Sequence, residues 1–318
     1  MICKICNKQQ NSKIYRVREM MFGLKDEFKY FKCSECGCLQ ILEFPENIDN
    51  YYQNNYYSLL PATKLGIFNR FLLLKKLRNE YAITKNNFLG QLLYIRYPED
   101  RLLALSHVPL SKSMRIIDVG CGNGYLLGLL NVSGYKNLTG IDPYIGKEAI
   151  HEDGYTIYKK NINEVTGKYD FVMLHHVFEH VGNPLQVLQH IRKILSDTGS
   201  CMIRIPLSDS FAFEKYENNW VQLDAPRHFF LHTRKSMDLL CKQADLKISK
   251  VIYDSNAFQF WGSEQYIKDI PLFSEQSLML GPQNSIFTKK EIKQFKEKAA
   301  LLNQEEKGDQ AIFILNQN

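Results

Sequence analysis

The chain has 318 residues, of which 45% are hydrophobic, 12% aromatic and 23% charged, as in a soluble globular protein with one large domain and a smaller module. This composition excludes a disordered chain, a collagen-like repeat and a coiled-coil rod. The longest apolar runs, such as Phe71 to Leu74 and Phe171 to Leu174, fall far short of the ~18 residues of a membrane span. Forty Lys plus Arg against thirty-four Asp plus Glu leave +6, too mild to demand a nucleic-acid partner.

The N-terminus, Met-Ile-Cys-Lys-Ile-Cys, lacks the apolar stretch of a secretion signal, so the expected location is the cytoplasm. It also opens a pattern. Cys3 and Cys6 form one Cys-x-x-Cys, and Cys33 and Cys36 form another twenty-six residues later. Two thiolate pairs on tight knuckles supply four soft ligands for one tetrahedral ion, with zinc expected ahead of iron or a disulfide pair. Four protein ligands leave no open position, so the ion would be structural. Cys38 is a spare thiol.

Strand-like stretches at Lys29 to Lys32 and Leu39 to Phe44 complete a knuckle module over residues 1–44, which Pro45 ends. A tyrosine-rich segment, Tyr51 to Tyr57, follows. From Lys64 to about Leu105 the apolar residues recur at helical spacing, so residues 45–110 read as a helical linker or lid. After Ser113 strands and helices alternate. Strands are expected at Met114 to Val119, Leu138 to Ile141, Phe171 to Leu174, Cys201 to Ile205, Lys247 to Tyr253 and Ala311 to Leu315. Helices are expected at Asn123 to Leu130, Leu185 to Leu195, Ser236 to Ala244 and Thr288 to Asn303. This is an α/β pattern that implies a parallel, doubly wound sheet over residues 111–318. An aromatic and charged insertion at 207–233 interrupts it.

The first of these strands runs through Asp118 and Val119 into Gly120-Cys121-Gly122-Asn123-Gly124. Glycines there let the backbone turn sharply and approach a ligand. Asp142 ends the next strand eighteen residues after Gly124, where a carboxylate can accept both hydroxyls of a ribose. The third glycine of a dinucleotide fingerprint would fall on Tyr125, so an adenosine-type cofactor other than a dinucleotide is indicated.

These residues resemble the first motif of class I S-adenosylmethionine-dependent methyltransferases. The likeness continues through Gly140-Ile141-Asp142, Tyr169 to Val172, Phe178-Glu179-His180-Val181 and Ile194 to Pro206. The cysteine module, the tyrosine segment, Trp220 to Leu231 and Gly308-Asp309-Gln310-Ala311 together are similar to methyltransferases of bacterial sugar and surface-polysaccharide pathways. The resemblance implies a seven-stranded Rossmann-like sheet, S-adenosylmethionine as cofactor and a zinc-ribbon-like N-terminal module. It implies a sugar or nucleotide-sugar acceptor, with a substrate pocket built by 207–233. An RNA methyltransferase, a quinone-like O-methyltransferase and a non-catalytic cofactor-binding scaffold are the alternatives. Acids interleave with the basic residues of the first forty-four, which disfavours the RNA reading.

By that resemblance Asp118, Gly120, Gly122 and Gly124 receive the methionine part of the cofactor and Asp142 its ribose. Asn161 and Ile162 flank the adenine, His175 lies near the reacting centre, and Tyr57 belongs to a lid. His228 is the first candidate for a general base, since a neutral imidazole is poised near pH 7, with His180 and His176 next. Trp220 either stacks on the acceptor or anchors the insertion. His176 to His180 also spell His-x-x-Glu-His, the inverted zinc-peptidase pattern; Pro184 just beyond and the strand just before argue against that chemistry.

Overall fold

The computed structural model describes residues 1–9, 11–52, 71–146, 148–150 and 154–318. Three strands open the chain, β1 (Ile14–Arg18), β2 (Glu27–Lys32) and β3 (Leu39–Ile41). Helices α1 (Leu72–Thr84) and α2 (Phe88–Arg96) follow, then a 3-10 stretch over Asp100–His107. The expected helix from Lys64 to Leu105 is therefore broken. Lys85 takes a left-handed φ of 58° at the end of α1, and the Asn87 side chain accepts the Gly90 N–H to start a new helix.

Next come β4 (Ile116–Val119), α3 (Tyr125–Val132), β5 (Leu138–Ile141), β6 (Ala149–Ile150), β7 (Thr156–Tyr158), β8 (Tyr169–His175) and α4 (Pro184–Ile194). The chain continues with β9 (Leu195–Pro206), α5 (Phe211–Tyr216), β10 (Phe230–Leu231), α6 (Arg234–Gln243), β11 (Leu246–Tyr253), α7 (Phe258–Ile267), α8 (Lys289–Gln304) and β12 (Gln310–Gln317). Helix α3 starts two residues later than its apolar pattern suggests, because Gly124 sits at φ 74° before it. Strands β1, β6, β7 and β10 and helices α5 and α7 were not expected from the pattern.

The larger sheet has the order β11-β12-β9-β8-β4-β5-β7-β6. Strand β4 pairs in parallel with β5 on one side and β8 on the other, and β5 pairs in parallel with β7. The seven expected strands are joined by an eighth, the two-residue β6, antiparallel to β7. Strand order reverses at β4, which makes its carboxyl end the switch point where such sheets bind ligands.

The chain divides into two compact units. One comprises Met1–Tyr51, His176–Leu188 and Ile203–Phe313; the other comprises Tyr52–His175, Gln189–Met202 and Ile314–Asn318. In the first unit the small sheet β1-β2-β3 is extended by β10 from the insertion, with Phe230 opposite Gln40 and Leu231 opposite Leu39. A shared core explains why: Tyr30 and Leu39 of the small sheet pack in one cluster with Phe213 and Trp220 of the insertion and Phe260 of α7. Trp220 is fully buried and donates its indole N–H to Asp309 at 2.9 Å, so it anchors the insertion.

Candidate functional site

In the second unit, the β4–α3 loop turns through three left-handed glycines, Gly120 at φ 71°, Gly122 at 53° and Gly124 at 74°. Asp142, at the end of β5, holds this loop. Its Oδ2 accepts the Gly122 N–H at 3.0 Å and its Oδ1 the Tyr144 N–H at 2.8 Å. Each oxygen keeps a second lone pair, which a vicinal diol can use. Asp118 lies inside β4, and burial followed by the charge of Asp142 pushes its carboxyl up to about 8. At neutral pH it is mostly protonated and offers an O–H donor.

Asn161 caps the short 3-10 turn Ile162–Glu164, its own N–H donating to Glu164 Oε2 at 2.7 Å. Ile162 is buried, and His175 is half-buried at the last position of β8. Tyr56 and Tyr57 lie outside the described residues.

The first unit gathers the histidines. Glu179 is fully buried, and neither of its oxygens has a hydrogen-bond partner. His176 Nδ1 lies 3.3 Å from its Oε1, near in distance but outside hydrogen-bond geometry. His228 Nε2 is 3.9 Å from the same oxygen and 3.7 Å from Asp224 Oδ2. The His180 and His228 rings meet edge to face at 4.7 Å. His180 Nδ1 is 2.8 Å from the Arg227 carbonyl, and His228 Nδ1 is 2.7 Å from the Gln222 carbonyl. A carbonyl only accepts, so both Nδ1 atoms carry the proton, and in a neutral ring Nε2 then carries the lone pair. Burial, with the neighbouring His228 adding to it, pulls His180 down to about 4. Its imidazole is therefore neutral at pH 7.

What orients this cluster is Arg227, which sequence reasoning did not single out for a role. Its guanidinium is fully buried and donates to both oxygens of Asp224 at 3.0 Å, to Glu19 Oε1 at 2.9 Å and to the Tyr51 carbonyl at 3.0 Å. Glu19 also accepts the N–H groups of Phe22 and Leu24 at 3.0 and 2.9 Å. Asp224 and Arg227, which precede His228 in its turn, are thus locked by charge-assisted bonds.

The four knuckle cysteines come together, their Sγ atoms all within 4.8 Å of one another. Cys3 and Cys36 are 3.6 Å apart, as are Cys6 and Cys33. A tetrahedral ion with metal–sulfur bonds of about 2.3 Å spaces its sulfurs by about 3.8 Å, so the donor set fits. Backbone N–H groups of Ile5 and Cys36 and the Gln40 amide point at the sulfurs at 3.4, 3.4 and 3.1 Å, the outer hydrogen bonds expected around thiolates.

Residues 91–251 match the family model described as methyltransferase domain, half of the chain. The chain belongs to this methyltransferase family. Its members are the enzymes to which the glycine loop bears its resemblance, and the activity they share is S-adenosylmethionine-dependent methyl transfer. The methyltransferase is also 34% identical over 86 residues to the mitochondrial ubiquinone biosynthesis O-methyltransferase of Saccharomyces cerevisiae, a match over 24% of this chain and 28% of that protein. The chain therefore spans about a quarter of the length of that curated relative. Among solved structures it is similar to the cyclopropane synthase MmaA2 of Mycobacterium tuberculosis, with a TM-score of 0.44, 15% identity, and coverage of 67% of this chain and 81% of that one. A SAM-dependent methyltransferase of Archaeoglobus fulgidus gives 0.42 and 15%, covering 73% and 100%. Neither structural likeness bears on the acceptor. Among the described residues no helix is long and apolar enough to cross a membrane.

Proposed function

We propose that this methyltransferase moves the methyl group of S-adenosylmethionine to a sugar or nucleotide-sugar of a surface-polysaccharide pathway, with a structural zinc in its four-cysteine knuckle. The observation that carries the cofactor assignment is the left-handed glycine loop fastened to Asp142 at the switch point of the sheet. When bound, the cofactor supplies an electrophilic methyl on a sulfonium. Asp142 and the loop hold and orient it, and alignment is most of what such a displacement requires. An acceptor hydroxyl must also shed its proton. We assign that step to the Glu179–His180–His228 cluster, with His228 first among its imidazoles and Glu179 stabilising the cation that forms. His176, whose Nδ1 faces Glu179, is the outer member. Asn161, Ile162, His175 and Tyr57 remain assigned to the cofactor by resemblance. The match to a ubiquinone biosynthesis O-methyltransferase favours a second reading, a quinone-like small-molecule acceptor.

The deciding experiment is calorimetric titration with S-adenosylhomocysteine, followed by turnover assays on nucleotide-sugars and on catechols. Micromolar binding is expected. Asp142→Ala should weaken it by about a hundredfold, the value of roughly 2–3 kcal/mol for lost charge-assisted hydrogen bonds. Absence of heat from folded wild type would overturn the reading. Binding without turnover on any acceptor would leave a scaffold.

A further inference from the structure

We propose that Glu179, His180 and His228 form a second metal site, separate from the cysteine knuckle, for a divalent first-row cation. One carboxylate oxygen of Glu179 and one ring nitrogen from each histidine lie within 4.8 Å of one another. Ligands about 2.0–2.2 Å from a shared ion sit roughly 3–4 Å apart. His228 Nε2 and Glu179 Oε1 already meet that at 3.9 Å.

Three further observations point to a cation rather than to packing. The carboxylate of Glu179 is fully enclosed and unhydrogen-bonded, an arrangement whose desolvation cost a bound cation offsets. Both histidines donate Nδ1–H to a backbone carbonyl, Arg227 for one and Gln222 for the other. That is the outer hydrogen bond that fixes ring orientation and presents Nε2 in metal-ligating histidines. Asp224 stands 3.7 Å from His228 Nε2, yet its oxygens are taken by Arg227. It adds negative potential next to the site without being a ligand.

Two imidazoles and one carboxylate suit zinc, manganese or ferrous iron. The set differs from the one its sequence pattern suggests. In His-x-x-Glu-His both histidines would be ligands and the glutamate would not. Here residues 178–180 form a single 3-10 turn, His176 turns its Nδ1 toward Glu179, and His228 arrives from the insertion to replace it. Three protein ligands leave open positions, where an oxygen of the acceptor can bind; the ion would then take the place of His228 and His180 as the group that loosens that oxygen's proton, because their lone pairs are its ligands. That last role rests on the methyl-transfer reading; the metal site does not.

The test is a titration of the full-length protein, purified with zinc in its knuckle, with Co2+. One equivalent of cobalt should bind with weak ligand-field bands and no thiolate-to-metal charge transfer. Glu179→Gln and His228→Asn should each weaken that binding by at least a hundredfold while retaining the knuckle zinc and the wild-type circular dichroism. Wild type that takes up no cobalt, or variants that bind it as tightly as wild type, would overturn the site. Titration of the same samples with S-adenosylhomocysteine reports on the methyltransferase reading independently, so one can fail while the other stands.

Discussion

Two carboxylates, one in each unit, are buried by opposite means. Asp142 is 7% exposed and its oxygens are taken by the N–H groups of Gly122 and Tyr144. Glu179 is 0% exposed with its oxygens turned toward imidazoles and no hydrogen bond to either. The first carboxylate is part of the scaffold: the loop exists in that shape because the acid pins it. The second costs desolvation free energy and has no hydrogen bond to offset it. Strain of this kind persists where surrounding structure over-determines it, and it concentrates at sites that bind or react.

If that contrast is sound, the largest stability loss should come from the interlock that imposes it. Arg227→Met keeps much of the side-chain volume but leaves Asp224 and Glu19 as buried anions without their shared cation. Breaking one partner out of a buried ionic network costs about 3–5 kcal/mol. Urea denaturation should show a loss in that range, with the far-UV spectrum of the folded state retained. A loss below about 1 kcal/mol would mean that Asp224 and Glu19 are satisfied elsewhere and that the cluster is not held by Arg227.

The next effect in size tests how a buried acid behaves when its partner is neutral. Asp309 accepts the Trp220 indole N–H at 2.9 Å and is almost completely enclosed, and burial pushes its carboxyl up to about 6. The folded state thus holds this proton more tightly than the unfolded chain, whose carboxyl keeps its ordinary value of 3.8. Stability from this group is complete below about pH 4 and falls as pH rises to about 6, after which it is flat. The gap corresponds to roughly 3 kcal/mol. Asp309→Asn, which still accepts the indole N–H, should abolish that slope when unfolding midpoints are compared from pH 4 to pH 7. A slope that survives the substitution would assign it to other carboxyls.

The candidate sites of the two units were unequally legible in the sequence for a physical reason. Everything that fixes Gly120, Gly122, Gly124 and Asp142 is local: positive φ values demand glycine, and the acid follows one strand later. The Cys-x-x-Cys pairs are local in the same sense, each knuckle being closed by a bond from a near neighbour such as Cys36 N–H to Cys33. By contrast, His228 reaches Glu179 from forty-nine residues away and Arg227 reaches Glu19 across more than two hundred. No periodicity reports such meetings, so the histidines were seen as separate candidates and Arg227 was passed over. Glu19 follows Arg18 directly, so even its immediate neighbourhood suggests a local, exposed pair rather than a distant buried one. The pairing of β3 with β10 is likewise invisible from either segment alone.

The smallest effect probes the local half. Gly124→Ala places a methyl group on a residue at φ 74°, where its built position lies 2.3 Å from Ile157 Cδ1. The terminal methyl of isoleucine can rotate away, so most of the cost is the left-handed backbone, about 1–2 kcal/mol for a side chain that disfavours it. The loop can recover part of that by relaxing toward negative φ, which would carry the Gly122 N–H off Asp142. Two numbers therefore decide between strain that is borne and strain that is relieved. Unfolding free energy lowered by 1–2 kcal/mol with unchanged S-adenosylhomocysteine affinity means that the loop keeps its shape under strain. A nearly unchanged stability with affinity reduced about tenfold means that the backbone has moved, and that Asp142 holds the loop only as long as glycine lets it turn.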